Sequence, residues 1–253
     1  MSKITFGYIV GGEDKHYNNL LRSLESLERI EQPYEVVILD ADSRLETDDD
    51  KPNVRIIPFP VDEAKGEGWF KPHYWQMRYH LNKFVETEYC FYMDTDTVIV
   101  NDRVDELIEE AGEDFLICRH WWVPELKDYL SRVRVNIGLV SHLIEEDKPD
   151  IPYFASGLFL FQKDKHDHIF DTYHKKFDSV FASIPNNAEG ITDELLLCLT
   201  LEETGGYKTT NGSMNHSSEQ EQMPLKFNEN DKTFWGKNPQ DDIYKKVFAF
   251  HND

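Results

Sequence analysis

Residues 91–100, Phe-Tyr-Met-Asp-Thr-Asp-Thr-Val-Ile-Val, constrain this chain more than any other stretch. An apolar run at 91–93 meets Asp94-Thr95-Asp96, and a second apolar run follows at 98–100. The pattern predicts a buried strand, on which side chains alternate, so Asp94 and Asp96 are expected to point to the same side. Two carboxylates at the end of a buried strand are costly unless positive charge sits between them. Mn²⁺ or Mg²⁺ supplies that charge with oxygen ligands, and Mg²⁺ often takes one or two carboxylates together with substrate phosphates. The competing reading is a solvated acidic turn, because 48 of the 253 residues are acidic. The apolar flanks favour the metal.

The acidic residues face 27 basic ones, for a net charge of −21. Such a chain repels nucleic acid and anionic membrane unless its basic residues cluster, and no cluster is visible. No segment approaches the roughly 18 consecutive apolar residues of a membrane span. Cys90, Cys118 and Cys198 form no C-x-x-C pair, and their odd number argues against a disulfide framework. Each sits among apolar neighbours and is expected to be a buried thiol. The N-terminus has too short an apolar run for a secretory signal, and together with the cysteines this predicts a cytoplasmic protein.

Strand and helix signals alternate through the first half. Residues 3–10 read as a strand broken by Gly11-Gly12, and Leu20, Leu21, Leu24 and Leu27 then mark one face of a helix ended by Pro33. Residues 34–39 and 54–59 read as two further strands, the first ending at Asp40. Residues 61–70 look like a loop. Lys71-Pro72 then opens a helix, with proline at its favoured first position and Tyr74, Met77, Leu81 and Phe84 following at helical spacing. After the acidic strand come a short helix near 104–108 and a strand at 114–119. This alternation predicts an α/β fold with a mostly parallel sheet flanked by helices, in one domain. In such sheets ligands bind outside the carboxyl ends of the strands, so Gly11, Asp40 and Asp94 are expected on one edge. In the second half, 153–161 reads as a strand, 166–183 and 193–201 as helices, 205–240 as long polar loops, and 247–251 as a last strand ending on His251.

Three more groups can carry chemistry. Lys71 stands at a helix start, where backbone N–H groups and the dipole favour anions. Its alternative is an exposed lysine at a loop end. His251, after an apolar strand, is the best candidate for a third metal ligand, although a lone histidine is more often structural. Asp193 and Glu194 open an apolar helix, where acidic residues either compensate the dipole or take part in catalysis. His73, His80, His166 and His168 have no ligand-like spacing. Hydrolase, zincin, dinucleotide and P-loop signatures are absent.

Taken in order, these blocks resemble the GT-A, Rossmann-like fold of nucleotide-sugar glycosyltransferases, and within it the glycogenin-like retaining family. Tyr8-Ile9-Val10-Gly11-Gly12 with Tyr17, Ser23 and Leu24 resembles the family's first strand and helix. Lys71-Pro-His-Tyr-Trp75 resembles its lysine-x-histidine-x-tryptophan segment, and Tyr92-Met-Asp-Thr-Asp96 its aspartate-x-aspartate strand. Phe154-Ala-Ser-Gly157 and Asp193-Glu194 resemble its acceptor and donor-sugar blocks.

The resemblance implies Mn²⁺ or Mg²⁺ held by Asp94, Asp96 and His251 on the donor diphosphate. It implies donor contacts from Ile9, Val10, Gly11, Asp40, Lys71, Thr95, Ser156 and Gly157, with Asp193, Glu194 and Lys71 as candidate catalytic residues. Residues 1–118 would form the donor and metal half, and 119–253 the acceptor side. The chain departs from the family at Ala155, where asparagine is usual, and at Glu194, where glutamine is usual. It also departs after His251, where a lysine has no counterpart. Residues 120–152 are longer than expected and are a candidate acceptor lid, with Trp121 and Trp122 as sugar-stacking or core residues.

The expected activity is metal-dependent transfer of a sugar from a nucleotide-diphosphate donor to a saccharide or glycoconjugate. UDP is the favoured base, GDP the second, and retention is the implied outcome. The alternatives are an inverting enzyme with Asp193 or Glu194 as base, and a non-catalytic sugar- or metal-binding protein. A nucleotidyltransferase fits less well, because Gly11-Gly12-Glu13-Asp14 is neither basic nor glycine-rich enough to hold a triphosphate.

Overall fold

The computed structural model describes residues 4–46, 53–59, 76–119, 125–132, 151–183, 193–210, 214–217, 225–237 and 244–251. Along the chain run β1 (Ile4–Val10), α1 (Asp14–Ser26), β2 (Tyr34–Asp40), β3 (Val54–Pro58), β4 (Tyr89–Met93), β5 (Thr97–Ile99), α2 (Val104–Ala111) and β6 (Phe115–Arg119). There follow α3 (Leu126–Arg132), β7 (Phe154–Gln162), α4 (Asp167–Ser183), α5 (Asp193–Thr204) and β8 (Tyr207–Thr210). Short strands close the described chain: β9 (Asn215–Ser217), β10 (Leu225–Asn228), β11 (Thr233–Lys237), β12 (Tyr244–Lys246) and β13 (Ala249–His251).

Seven strands form the central sheet in the order β3-β2-β1-β4-β7-β6-β8. Neighbours from β3 to β4 are parallel, as are β6 and β8, while β7 runs antiparallel to both β4 and β6. The expected mostly parallel α/β sheet is therefore present. The parallel set places the ends of β1, β2 and β4 on one edge. The reversed β7 brings its start there too, with Met93 opposite Leu158 and the Asp94 N–H donating to the Gly157 carbonyl at 2.8 Å.

Both sheet faces are buried, which explains why the central strands are apolar throughout. On one face Val37, Leu39, Cys90, Tyr92, Phe159 and Phe161 pack under α4, α5 and the 3-10 helix Arg78–Lys83. On the other, Phe6, Tyr8, Val36, Ile38, Phe91 and Leu160 pack under α1 and α2. Helix α5 is buried all round, from Leu195 to Leu201, as expected of a helix apolar on every side. Gly7 lets the 3-10 helix approach: a Cβ there would lie 3.0 Å from a Leu81 methyl and 3.2 Å from Cys90 Sγ. Cys90, Cys118 and Cys198 are buried, as expected.

Four expectations change. Helix α1 ends at Ser26, well before Pro33, and continues as the 3-10 turn Leu27–Arg29. The Ser26 hydroxyl has turned to the backbone, donating to the Ser23 carbonyl at 2.6 Å and accepting the Ile99 N–H at 2.9 Å, a side-chain alternative to helical bonding. Leu21 is 56% exposed, so the buried stripe is narrower than its leucines suggest. Asp94-Thr95-Asp96 forms a turn between β4 and β5, closed by a Thr97 N–H bond to the Asp94 carbonyl at 3.0 Å, so strand alternation does not govern its side chains. The polar stretch 205–240 holds β8 to β11, because an edge strand or small meander need bury only part of its side chains. The loop expected at 61–70 and most of the 120–152 lid lie outside the described residues.

The 3-10 helix is clamped to α4 by a histidine pair. His80 and His174 stack with centroids 4.1 Å apart. Lys83 Nζ donates to His80 Nδ1 at 3.1 Å, and His174 Nε2 donates to the Tyr79 carbonyl at 3.0 Å. Burial, helped by His174 and Lys83, pushes His80 down to about 4. Burial likewise lowers His174. The unfolded chain therefore binds more protons than the fold below about pH 6.5, so the pair's stability contribution is complete above that pH and is lost as pH falls toward 4. Urea unfolding is expected to show this decline, with a shallower slope for His80→Phe. Identical slopes would contradict the clamp.

Candidate active site

The site is built around a buried cation. Arg78 is 6% exposed and sits at the start of the 3-10 helix. Its guanidinium lies over the Tyr92 ring, 4.9 Å from the centroid. Nη1 donates to Ser156 Oγ at 2.9 Å and to the Ser156 carbonyl at 3.2 Å, and meets Asp193 Oδ2 at 3.0 Å. Nη2 lies 3.6 Å from Asp94 Oδ1. Ser156 Oγ donates in turn to Asp193 Oδ2 at 2.8 Å, and the Tyr92 hydroxyl donates to the Asp94 carboxylate. Burial works against the Arg78 charge. Tyr92, Asp193 and Asp94 outweigh it and hold the guanidinium well above its ordinary value. Arg78 Nε is buried and has no hydrogen-bond partner among the described residues.

Asp193 is 8% exposed at the first turn of α5, where the dipole favours a carboxylate. Beside it, the Glu194 carboxylate accepts the Tyr153 hydroxyl at 2.5 Å and the Ser156 backbone N–H. Burial and the neighbouring Asp193 raise Glu194 to about 7, against the opposing effect of those two donors and Arg78.

A second group of residues lies at the ends of β1 and β2. Val10 is buried, with Ile9 and Gly11 half-buried beside it. Gly12 adopts φ +83°, a conformation that favours glycine, and its N–H donates to Asp42 Oδ2 at 2.6 Å. Asp40 is fully buried. It accepts the Tyr17 hydroxyl at 2.9 Å on one oxygen and the Leu45 N–H at 2.7 Å on the other. Its carboxylate thus organises the 41–45 turn. Arg44 covers the Tyr17 ring at 4.2 Å and pairs with Asp14 at 2.5 Å.

The structure thus brings together Asp94, Ser156, Gly157, Asp193 and Glu194, with Thr95 buried in the turn between β4 and β5. Lys71 lies outside the described residues. Among the described residues no three His, Cys, Asp or Glu side chains form a group that could hold a metal. The backbone of His251 is placed: β13 pairs with β5, setting His251 opposite Thr97, next to Asp96. Its side chain lies outside the described residues.

Arg78 is not among the residues the motifs single out, yet the sequence carries a signal for it. Tyr74, Met77, Arg78 and Leu81 fall at i, i+3, i+4 and i+7, so the arginine occupies the apolar stripe of its helix, where a charge needs a buried partner.

The mixed sheet with its helices on both faces is the GT-A fold of nucleotide-sugar glycosyltransferases. Two structures of the galactosyltransferase LgtC share it at 14% sequence identity. One, in complex with donor and acceptor sugar analogs, has a TM-score of 0.58 over 85% of this chain and 76% of its own. The other, an active-site glutamine-to-glutamate mutant, has a TM-score of 0.61 over 98% and 86%. The bifunctional glycosyltransferase WbbM is similar at a TM-score of 0.58 and 11% identity, over 85% of this chain and 40% of its own. No family model and no curated protein sequence matches the chain.

Removing Arg78 would leave the buried Asp193 and the partly buried Asp94 without their cation. Arg78→Ala is expected to lower the unfolding free energy by about 3–5 kcal/mol in urea titrations. A loss below about 1 kcal/mol would contradict the clamp.

Proposed function

We propose that this chain is a metal-dependent glycosyltransferase that moves a sugar from a nucleotide-diphosphate donor to a saccharide or glycoconjugate acceptor. UDP is the favoured donor base, with GDP the second. One observation carries the proposal. The acidic turn at 94–96 and the acidic start of α5 share one buried arginine on the edge where the parallel strands end. Open α/β sheets bind ligands at such an edge. The fold shared with LgtC and WbbM supports the same conclusion.

Each chain segment then has a role. The β1 end with Tyr17, and the turn organised by Asp40, would receive the base. Lys71 would contact the donor phosphate or sugar, adding electrostatic stabilisation as charge develops. Asp193, aimed by Arg78 and Ser156, would hydrogen-bond the donor sugar near its anomeric carbon. Asp94, Asp96 and His251 would hold Mn²⁺ or Mg²⁺, a hard-cation donor set with one imidazole. When bound, such an ion acts as a Lewis acid toward the leaving diphosphate.

Retention rests on the family resemblance alone. One observation favours inversion as a second reading: Glu194, raised to about 7, has the acidity of a general base near neutral pH. NMR of the product anomer separates retention from inversion.

Asp94→Asn combined with Asp96→Asn keeps side-chain volume while removing two anionic ligands. Metal-dependent donor turnover is expected to fall by roughly 10²-fold or more. Unchanged turnover, with Mn²⁺ still required, would overturn the assignment.

A further inference from the structure

Glu194 shares no ion pair with Arg78, although Asp193 beside it does, and its environment comes from another part of the chain. The Tyr153 hydroxyl donates to Glu194 Oε2 at 2.5 Å. Tyr153 is buried and stacks on Tyr129 of α3, with centroids 4.3 Å apart and planes at 13°. Helix α3 is fastened to the same segment by the Leu126 N–H bond to the Ile151 carbonyl, 2.8 Å, and by the bridge between Glu125 and Pro152. Three residues on, the Ser156 backbone N–H reaches Glu194 while its side chain holds Asp193 and Arg78. One stretch, 153–156, therefore orients both acidic residues at the start of α5.

We propose that Tyr153 is a positioning residue, backed by Tyr129, that holds Glu194 as the carboxylate accepting the acceptor's proton during glycosyl transfer. This rests on the transferase reading given above, in its second form with Glu194 as the base. In the step, the acceptor oxygen bonds to the anomeric carbon and its proton passes to Glu194. The bond from that carbon to the diphosphate oxygen breaks, and the nucleoside diphosphate leaves with the electron pair. A phenol donor to Oε2 favours the ionised carboxylate and fixes its rotamer, which a phenylalanine cannot do. The groups facing Glu194 are Asp193 and Cys198 from α5, Arg78 from the 3-10 helix, and Tyr153 with the Ser156 N–H from the start of β7. Burial and Asp193 oppose its charge, and Tyr153, Ser156 and Arg78 favour it, leaving the carboxyl near neutrality at about 7. Loss of the Tyr153 hydroxyl removes a favouring group, so the midpoint moves up.

The test is a ¹³C-carboxyl NMR titration of glutamate-labelled protein, which needs no substrate, run beside pH–rate profiles. The wild type is expected to show one carboxyl with a midpoint about 7 that disappears in Glu194→Gln. In Tyr153→Phe that midpoint rises, and turnover at pH 6 relative to pH 8 drops by about fivefold for a rise of one pH unit. A lowered melting temperature with an unmoved midpoint would mean that Tyr153 only packs, and would overturn the proposal. So would a Glu194 resonance titrating with the ordinary glutamates. If the midpoints behave as expected but the wild type turns over no nucleotide sugar, the transfer reading fails and the proton-accepting step falls with it, while the Tyr153–Glu194 pairing stands.

Discussion

The buried charge of Arg78 is the constraint on which the rest of the site depends. A guanidinium taken from water must be compensated, and removing one partner of a buried pair typically costs about 3–5 kcal/mol. Here the compensation comes from positions 92, 94, 156 and 193, far apart in sequence. The charge therefore does more than stabilise. It forces the turn after β4, the start of β7 and the first turn of α5 to meet on one sheet edge. Asp193 receives two donors on one oxygen, which fixes its rotamer without a ligand present.

The direction of β7 is the topological counterpart of that charge. A parallel strand beside β4 would have put residues 154–157 at the far end of the sheet. Running antiparallel, it delivers Ser156 and Gly157 beside Asp94. The opposite side of the acidic turn is held from α1. The Ser26 hydroxyl accepts the Ile99 N–H at 2.9 Å, and the Ser23 hydroxyl donates to the Thr97 carbonyl. Strand β13 then pairs with β5 and sets His251 opposite Thr97. Asn101 ties in the last strands by bonding both backbone groups of Phe234. A turn fastened on both sides can hold two carboxylates close together, which an unsupported acidic loop would not do against their repulsion.

Much of this was legible in the sequence, for definite physical reasons. Strands buried on both faces read as continuous apolar runs, so β1, β2, β4 and β7 stood out, and α5 announced itself by being apolar all round with an acidic start. The acidic pair was legible as chemistry but not as geometry: its flanks look like one strand, and only the Thr97 N–H bond to Asp94 shows the turn. Strand direction leaves no mark on composition, so the reversal of β7 was invisible. Strands β8 to β11 were hidden because short edge strands keep polar side chains. Arg78 was missed because arginine is usually read as surface, although its place in an apolar helical stripe argued otherwise. From its strand end Asp40 reads as a donor contact. Its burial and its three own-chain donors also make it an organiser of the turn that follows.

The central claim is that this sheet edge receives a nucleoside diphosphate together with a divalent ion. Thermal unfolding of the intact chain with UDP, GDP, ADP and CDP, each with and without Mn²⁺, tests it most directly. UDP or GDP with Mn²⁺ is expected to raise the melting temperature by about 5–10 °C at ligand concentrations near 100 times the dissociation constant. The same nucleotide without metal should give a much smaller rise. No rise with any nucleoside diphosphate and Mn²⁺ would contradict the account.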